Sequence, residues 1–191
     1  MQKFPRLGVY DEVDAILQGD CKCEATCLLV DDNLFNLIPL EVMLSDIGSI
    51  KVLKAQNGLE AVKLYKQDLN KTCCNTKINL VMMDLNMPLM NGFEAAKEIF
   101  KLHKQFYDSE EIDEDDHRVY QAKTVDVVAV TAYWDKPTAI KCYLERMRQC
   151  FRKPVSHQEL KRWLEGDFLR DVGRNNRFNQ SNENYARRVW F

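Results

Sequence analysis

The chain has no run of about 18 apolar residues, so no segment reads as a membrane-spanning helix. A charge of one sign is lacking too. Lys and Arg number 27 against 29 Asp and Glu, a net charge of −2 over 191 residues, which argues against a broad basic field for nucleic acid. Residues 1–20 lack the basic start and apolar stretch of a secretory signal. No Gly-rich strand-to-helix turn of the dinucleotide-binding kind occurs. Seven cysteines are present, yet Cys21, Cys23 and Cys27 lack paired C-x-x-C spacing and a nearby His, so a structural zinc site is not expected. They read as reduced thiols, with Cys27 and Cys142 as small apolar fillers and the others in loops. What is there is ordinary globular composition, 46% apolar and 29% charged, enough to bury one core with extensions at either end.

Short apolar runs recur along the chain: Cys27 to Val30, Val52-Leu53, Ile78 to Met83, Val125 to Val130, and a weaker one at Cys150-Phe151. Rich in Val, Ile and Leu, they read as strands of a parallel sheet buried on both faces. Helical spacing lies between them. Leu59, Val62 and Tyr65 share a face, as do Phe93, Ala96 and Phe100, and then Ile140, Tyr143 and Leu144. Asn57, Asp135 and Ser156 are expected N-caps, and Ser156 with Glu159 has the capping-box pattern. Five strands alternating with five helices predict an α/β fold.

Three segments fall outside the alternation. Residues 1–25 form a mixed N-terminal extension, with at most a short helix around Asp11 to Leu17. Residues 107–118 hold seven acids and one Arg, a net −6, and read as a solvated acidic insertion. Residues 166–191 read as a polar tail, and the 26–165 stretch between is the expected domain.

In an open parallel sheet, ligands bind at the carboxyl ends of the strands. Here the first strand ends in Asp31-Asp32, the third in Asp84 and the fourth in Thr131, while Lys153 follows the fifth. Three carboxylates in one crevice repel one another unless a cation neutralises them, and a hard, oxygen-seeking ion such as Mg²⁺ suits them. A Lys and a hydroxyl at the same rim supply the charge and the donor that a transferring phosphoryl group needs. A carboxylate can then serve as nucleophile. A single strand-end Asp is better read as a helix cap, but the whole set is not.

The pieces Asp31-Asp32-Asn33, Asn57-Gly58-x-Glu60-Ala61, Asp84-Leu85-Asn86-Met87-Pro88-x-Met90-Asn91-Gly92, Thr131-Ala132 and Lys153-Pro154 together resemble the receiver domain of two-component response regulators and hybrid histidine kinases. The resemblance covers about residues 25–165. It implies a doubly wound, flavodoxin-like sheet of strand order 2-1-3-4-5. It also implies that Asp84 accepts a phosphoryl group from a phosphohistidine, with Thr131 and Lys153 acting on that group. Mg²⁺ would be held by Asp31, Asp32, Asp84 and the backbone carbonyl of Asn86, and the Lys153–Pro154 peptide would be cis. The implied partner is a histidine kinase or histidine phosphotransfer protein, with no nucleic acid, no direct membrane contact and a monomeric state. The implied location is the cytoplasm, or the cytoplasmic side of a membrane within a hybrid kinase. Any catalysis is confined to the domain's own phosphorylation and dephosphorylation. The alternative is a receiver-fold interaction module that works without phosphorylation.

Departures from the family pattern carry further expectations. Cys150 stands where receivers usually have the Tyr or Phe that reports the state of the Thr. Pro39 falls in the first helix and predicts a late start or a kink there. Leu34, Phe35 and Leu37 suit a docking patch on that helix, with core packing the simpler reading for at least two of them. The other expected contact face is the fourth helix, fifth strand and fifth helix. Asn86 and Tyr133 would flank the path of a hydrolytic water, Asn86 orienting it and Tyr133 covering the phosphoryl group. Shielding is expected to outweigh that help, so the phosphorylated form is expected to decay slowly, the alternative being that Tyr133 faces solvent. His103 reads as an exposed bystander, His157 as structural and Trp163 as core, while Trp134 sits near the rim. Arg187, Arg188 and Trp190 read as parts of a solvated tail.

Overall fold

A computed structural model describes residues 25–48, 50–70, 78–109 and 125–168. Its order is β1 (Ala25–Val30), α1 (Leu34–Ile47), β2 (Ile50–Ala55), α2 (Gly58–Leu69), β3 (Ile78–Met83), α3 (Gly92–Ser109), β4 (Asp126–Thr131), α4 (Lys136–Leu144), β5 (Gln149–Arg152) and α5 (His157–Trp163). One wider helical turn, Leu164–Phe168, extends α5. All five strands pair in parallel in the order β2-β1-β3-β4-β5, as expected.

Strand alternation splits the core into two layers. Leu28, Val30, Val81, Met83, Val127 and Ala129 point to one face of the sheet, where they meet Tyr65 of α2, Ala96 and Ile99 of α3, and Cys142 of α4. Cys27, Leu29, Leu80, Met82, Val128 and Val130 point to the other, against Leu37, Leu40 and Leu44 of α1 and Leu160 and Trp163 of α5. A sheet covered on both faces needs apolar residues at consecutive positions, which is why these strands read as unbroken apolar runs.

The same four-residue device starts α2 and α3. Asn57-Gly58-x-Glu60 and Asn91-Gly92-x-Glu94 each place an Asn at the cap and a Glu three residues on. Asn57 Oδ1 accepts the Glu60 N–H at 2.9 Å, and Asn91 Oδ1 accepts the Glu94 N–H at 3.0 Å. Glu94 returns the bond to the Asn91 N–H at 3.1 Å. The glycines answer to close approach. A Cβ on Gly58 would lie 2.6 Å from Met90 O, and one on Gly92 would lie 2.2 Å from Asp84 O. Both glycines therefore lock the loop that follows Asp84 against the two helix starts.

Several local expectations change. Helix α1 starts directly after Asn33, whose side chain accepts the Phe35 N–H at 3.0 Å, and runs through Pro39. The start is therefore not late, and Pro39 sits exposed in the helix. Ser156 makes no side-chain cap bond, and His157 at the start of α5 brings Nε2 within 2.8 Å of Asp46 Oδ2 on α1. In α4 the buried residues are Ala139 and Cys142, whereas Ile140, Tyr143 and Leu144 are exposed. Two charged contacts also join it to α3: Lys141 Nζ lies 4.0 Å over the Phe93 ring, and Lys97 meets Glu145, just past the end of α4, at 3.0 Å. Cys150 is buried in β5, so it is no loop thiol. His103 is half-buried and bonded to the Tyr65 hydroxyl at 2.6 Å, so it is no bystander. Tyr107 and Asp108 belong to α3, so the acidic insertion begins later than 107. Likewise residues 166–168 continue α5 rather than open the tail. The Asp11–Leu17 helix, Cys21, Cys23, Cys73 and Cys74, most of the acidic segment, and Arg187, Arg188 and Trp190 lie outside the described residues.

Candidate functional site

The carboxyl ends of β1, β3 and β4 and the end of β5 form one edge, and the backbone sets their depth. Asp84 N–H donates to Val30 O at 2.8 Å, Asp31 N–H to Ala55 O at 3.1 Å, and Lys153 N–H to Thr131 O at 2.8 Å. These bonds continue the sheet ladder by one residue beyond each strand. Three carboxylates are thereby drawn together: one oxygen each from Asp31, Asp32 and Asp84 lies within 4.8 Å of the others. Asp31 is 1% exposed and Asp84 is buried, while Asp32 is open to solvent.

Like charges at this spacing need a counter-charge. Lys153 provides one, with Nζ 2.5 Å from Asp31 Oδ2 and 2.8 Å from Asp84 Oδ2. Burial alone would push this ammonium down, but its hydrogen bonds to Asp31 and Asp84 outweigh that and hold it above the ordinary lysine range. The opposite oxygen of Asp31 is also engaged, accepting the Asn33 N–H at 3.0 Å and Asn36 Nδ2 at 2.9 Å.

Two other expected residues are at the same edge. Asn86 turns its N–H toward Asp84 Oδ1 at 3.4 Å. Thr131 is fully buried, and its hydroxyl oxygen accepts the Tyr133 N–H at 3.1 Å. The Tyr133 ring is 75% exposed and faces solvent rather than covering the carboxylates. The Lys153–Pro154 peptide is cis. Of the three α1 residues expected to dock, Leu37 is buried and Leu34 and Phe35 are exposed, so one of the three is core rather than two. Asn36 is the site contact that the sequence reading missed. Its signal is an amide at the third helical position, inside the otherwise apolar run Leu34 to Leu40 and directly behind the acidic pair.

Cys150 and Cys142 of α4 are buried in the same apolar cluster. The neighbouring Cys142 thiol holds Cys150 below the ordinary thiol range, and the Cys150 thiol together with burial pushes Cys142 up.

A doubly wound parallel sheet with an acidic crevice at its carboxyl edge, bridged by a lysine, defines a class of domain suited to a hard cation and a phosphoryl group. Residues 27–107 match the family model described as the response regulator receiver domain, and that stretch is similar to the receiver domains of two-component systems. It is 28% identical over 157 residues to probable histidine kinase 1 of Oryza sativa subsp. indica, covering 74% of this chain but 15% of that protein. Among solved structures, the receiver domain of Ssk1, crystallised with the histidine phosphotransfer protein Ypd1 of Saccharomyces cerevisiae, is 28% identical with a TM-score of 0.57, over 73% of this chain and 85% of that one. The receiver domain of sensor histidine kinase PA1611 of Pseudomonas aeruginosa, solved with a magnesium ion in its active-site cleft, shares the fold at 22% identity and a TM-score of 0.54, over 80% and 100% of the chains. No helix of the described residues is long and apolar enough to cross a membrane.

Proposed function

We propose that the domain takes a phosphoryl group from a phosphohistidine onto Asp84. The observation that carries this reading is the Lys153 ammonium placed between Asp31 and Asp84 beside the open Asp32. The carboxylate oxygens are hard donors and fit Mg²⁺, so Asp31, Asp32, Asp84 and the Asn86 carbonyl would hold it. Bound there, the ion would supply charge neutralisation for the phosphoryl oxygens.

In the transfer, an Asp84 carboxylate oxygen attacks phosphorus, the P–N bond of the donor breaks, and the electron pair stays on the departing imidazole. An acyl phosphate remains on Asp84. Lys153, released from Asp84 Oδ2, pairs with a phosphoryl oxygen, and the Thr131 hydroxyl donates to another. Phe35, 80% exposed, with Leu34, Ile38 and Val42 gives α1 an apolar outer face beside the site. That face suits a histidine phosphotransfer protein or kinase as partner, and the Ypd1–Ssk1 complex is a precedent for a receiver domain binding such a protein.

A second reading, an interaction module that is never phosphorylated, draws support from Cys150, because the usual aromatic reporter is missing. Incubation with a small acyl-phosphate donor and Mg²⁺, read by intact mass, separates the two. We expect a gain of one phosphoryl group, lost in Asp84→Asn because an amide oxygen is a poor nucleophile. An unlabelled wild type would overturn the first reading, and labelling of Asp84→Asn at the wild-type rate would overturn the choice of Asp84.

A further inference from the structure

Asp31 is almost wholly buried, yet its carboxylate is the most heavily bonded group in the site. Oδ1 accepts two donors, the Asn33 N–H and Asn36 Nδ2, and Oδ2 faces Lys153. The final torsion of an Asp side chain is broad and roughly two-fold, so the chain itself does not decide which oxygen points where. The donors decide it. The Asn33 N–H belongs to the backbone and survives any substitution. Asn36 is the one side chain among the described residues seen holding Oδ1.

Its own position is fixed. Asn36 is the third helical residue of α1, and its N–H donates to Asn33 O at 2.9 Å. At that position a Glu or Gln commonly reaches back to the helix cap, as Glu94 does in α3. Asn36 instead sends its amide across to Asp31, five residues back and outside the helix.

We propose that Asn36 is a positioning residue for the cation site: it holds Asp31 Oδ1 so that Oδ2 stays turned toward Asp84 and the ion. This rests on the Mg²⁺ site of the proposed function. Groups that orient a metal-binding side chain commonly change affinity by about 10–100-fold when removed. The cause here is rotational. Without the amide, Asp31 samples orientations in which Oδ2 leaves the crevice, and the ion must reorder it on binding.

The test is a calorimetric Mg²⁺ titration of the full chain, without any phosphodonor, on wild type, Asn36→Leu and Asn36→Gln. The Leu variant keeps a similar volume and loses the donor, and the Gln variant keeps a donor on a longer stem. We expect Asn36→Leu to bind Mg²⁺ about tenfold more weakly, Asn36→Gln to recover most of that loss, and both to unfold thermally close to wild type in metal-free buffer. A merely structural role would lower the metal-free Tm and would not be rescued by Gln. Equal Mg²⁺ affinity in wild type and Asn36→Leu would overturn the inference alone. A wild type that binds no Mg²⁺ would overturn the metal site as well.

Discussion

Lys153 and Asp31 are 122 residues apart in the chain, and their side chains meet at 2.5 Å. The same ammonium reaches Asp84 at 2.8 Å, so one lysine bridges two buried acids from two different strands. In the metal-free state it does the work of a cation. Removing it leaves two carboxylates facing each other, which is costly for buried charge. Lys153→Met should therefore lower the metal-free Tm, and Mg²⁺ should restore more Tm in the variant than it adds to wild type, since binding to the folded state stabilises by mass action. Thermal unfolding with and without Mg²⁺ checks this, and an equal Mg²⁺ effect in both proteins would count against it. The pH dependence has a definite sign. The folded-state pKa of Lys153 lies above its ordinary 10.5, so its contribution is complete below that pH and fades as pH rises through the folded value. The stability gap between wild type and Lys153→Met should stay level through neutral pH and narrow above 10.5.

Gly92 has a strict packing reason to be glycine. A Cβ there would meet Asp84 O at 2.2 Å and Leu85 Cα at 2.9 Å, and backbone atoms cannot step aside as a flexible side chain can. Gly92→Ala should cost about 1–3 kcal/mol, as overpacking usually does. It should also lower labelling of Asp84, because the clash falls on that residue's own carbonyl. Gly48→Ala is the control, with nothing within 4 Å of the added methyl. Urea unfolding of both variants makes the comparison, and equal midpoints would refute the packing argument.

The buried thiols should differ in reactivity. Cys150 is held below the ordinary thiol range by the Cys142 thiol beside it. Burial pushes Cys27 far up. Limited alkylation of the native protein at neutral pH, mapped by peptide mass, should therefore mark Cys150 before Cys142 and Cys27. Cys142→Ala removes that neighbouring thiol, and Cys150 should then react more slowly. Faster reaction in that variant would show that access, rather than the Cys142 thiol, sets the rate.

The fold was legible because a sheet covered on both faces imprints unbroken apolar runs, and because strand-end carboxylates mark its binding edge. Asn57 and Asp135 were legible as caps for a local reason, an Asn or Asp just before a helical stretch. Other features depend on what lies across the fold. Ile140, Tyr143 and Leu144 have core-like spacing, but α4 rests on Ala139 and Cys142 and on charged contacts to α3, which no single-helix pattern records. The Asp31–Asn36 bond crosses a helix start, where spacing rules for helix faces do not apply. The Tyr65–His103 bond joins residues on two helices that sequence distance alone cannot pair.

Tyr133 and Asn86 make opposing claims on the lifetime of a phosphorylated Asp84. A ring lying over the phosphoryl group excludes water and prolongs the signal, while an amide beside it orients water and shortens the signal. The structure bears on the first claim. Tyr133 is 75% exposed, so its ring stands in solvent rather than over the crevice, while its backbone N–H meets Thr131 Oγ1 at 3.1 Å. Shielding would need the ring to turn inward about its side-chain torsions. Asn86 follows Asp84 by two residues, its backbone N–H lies 3.4 Å from Oδ1, and its side chain, which carries the amide, is exposed to water. In-line attack needs an ordered nucleophile, so the orienting group should govern the rate. A tenfold change requires only about 1.4 kcal/mol of barrier, within reach of one amide. Tyr133→Ala should leave the decay of phospho-Asp84 within about twofold of wild type, and Asn86→Ala should slow it by up to about tenfold. Decay followed by intact mass after removal of the donor decides between them. Faster decay in Tyr133→Ala would mean that the ring closes over the site once the phosphoryl group is in place.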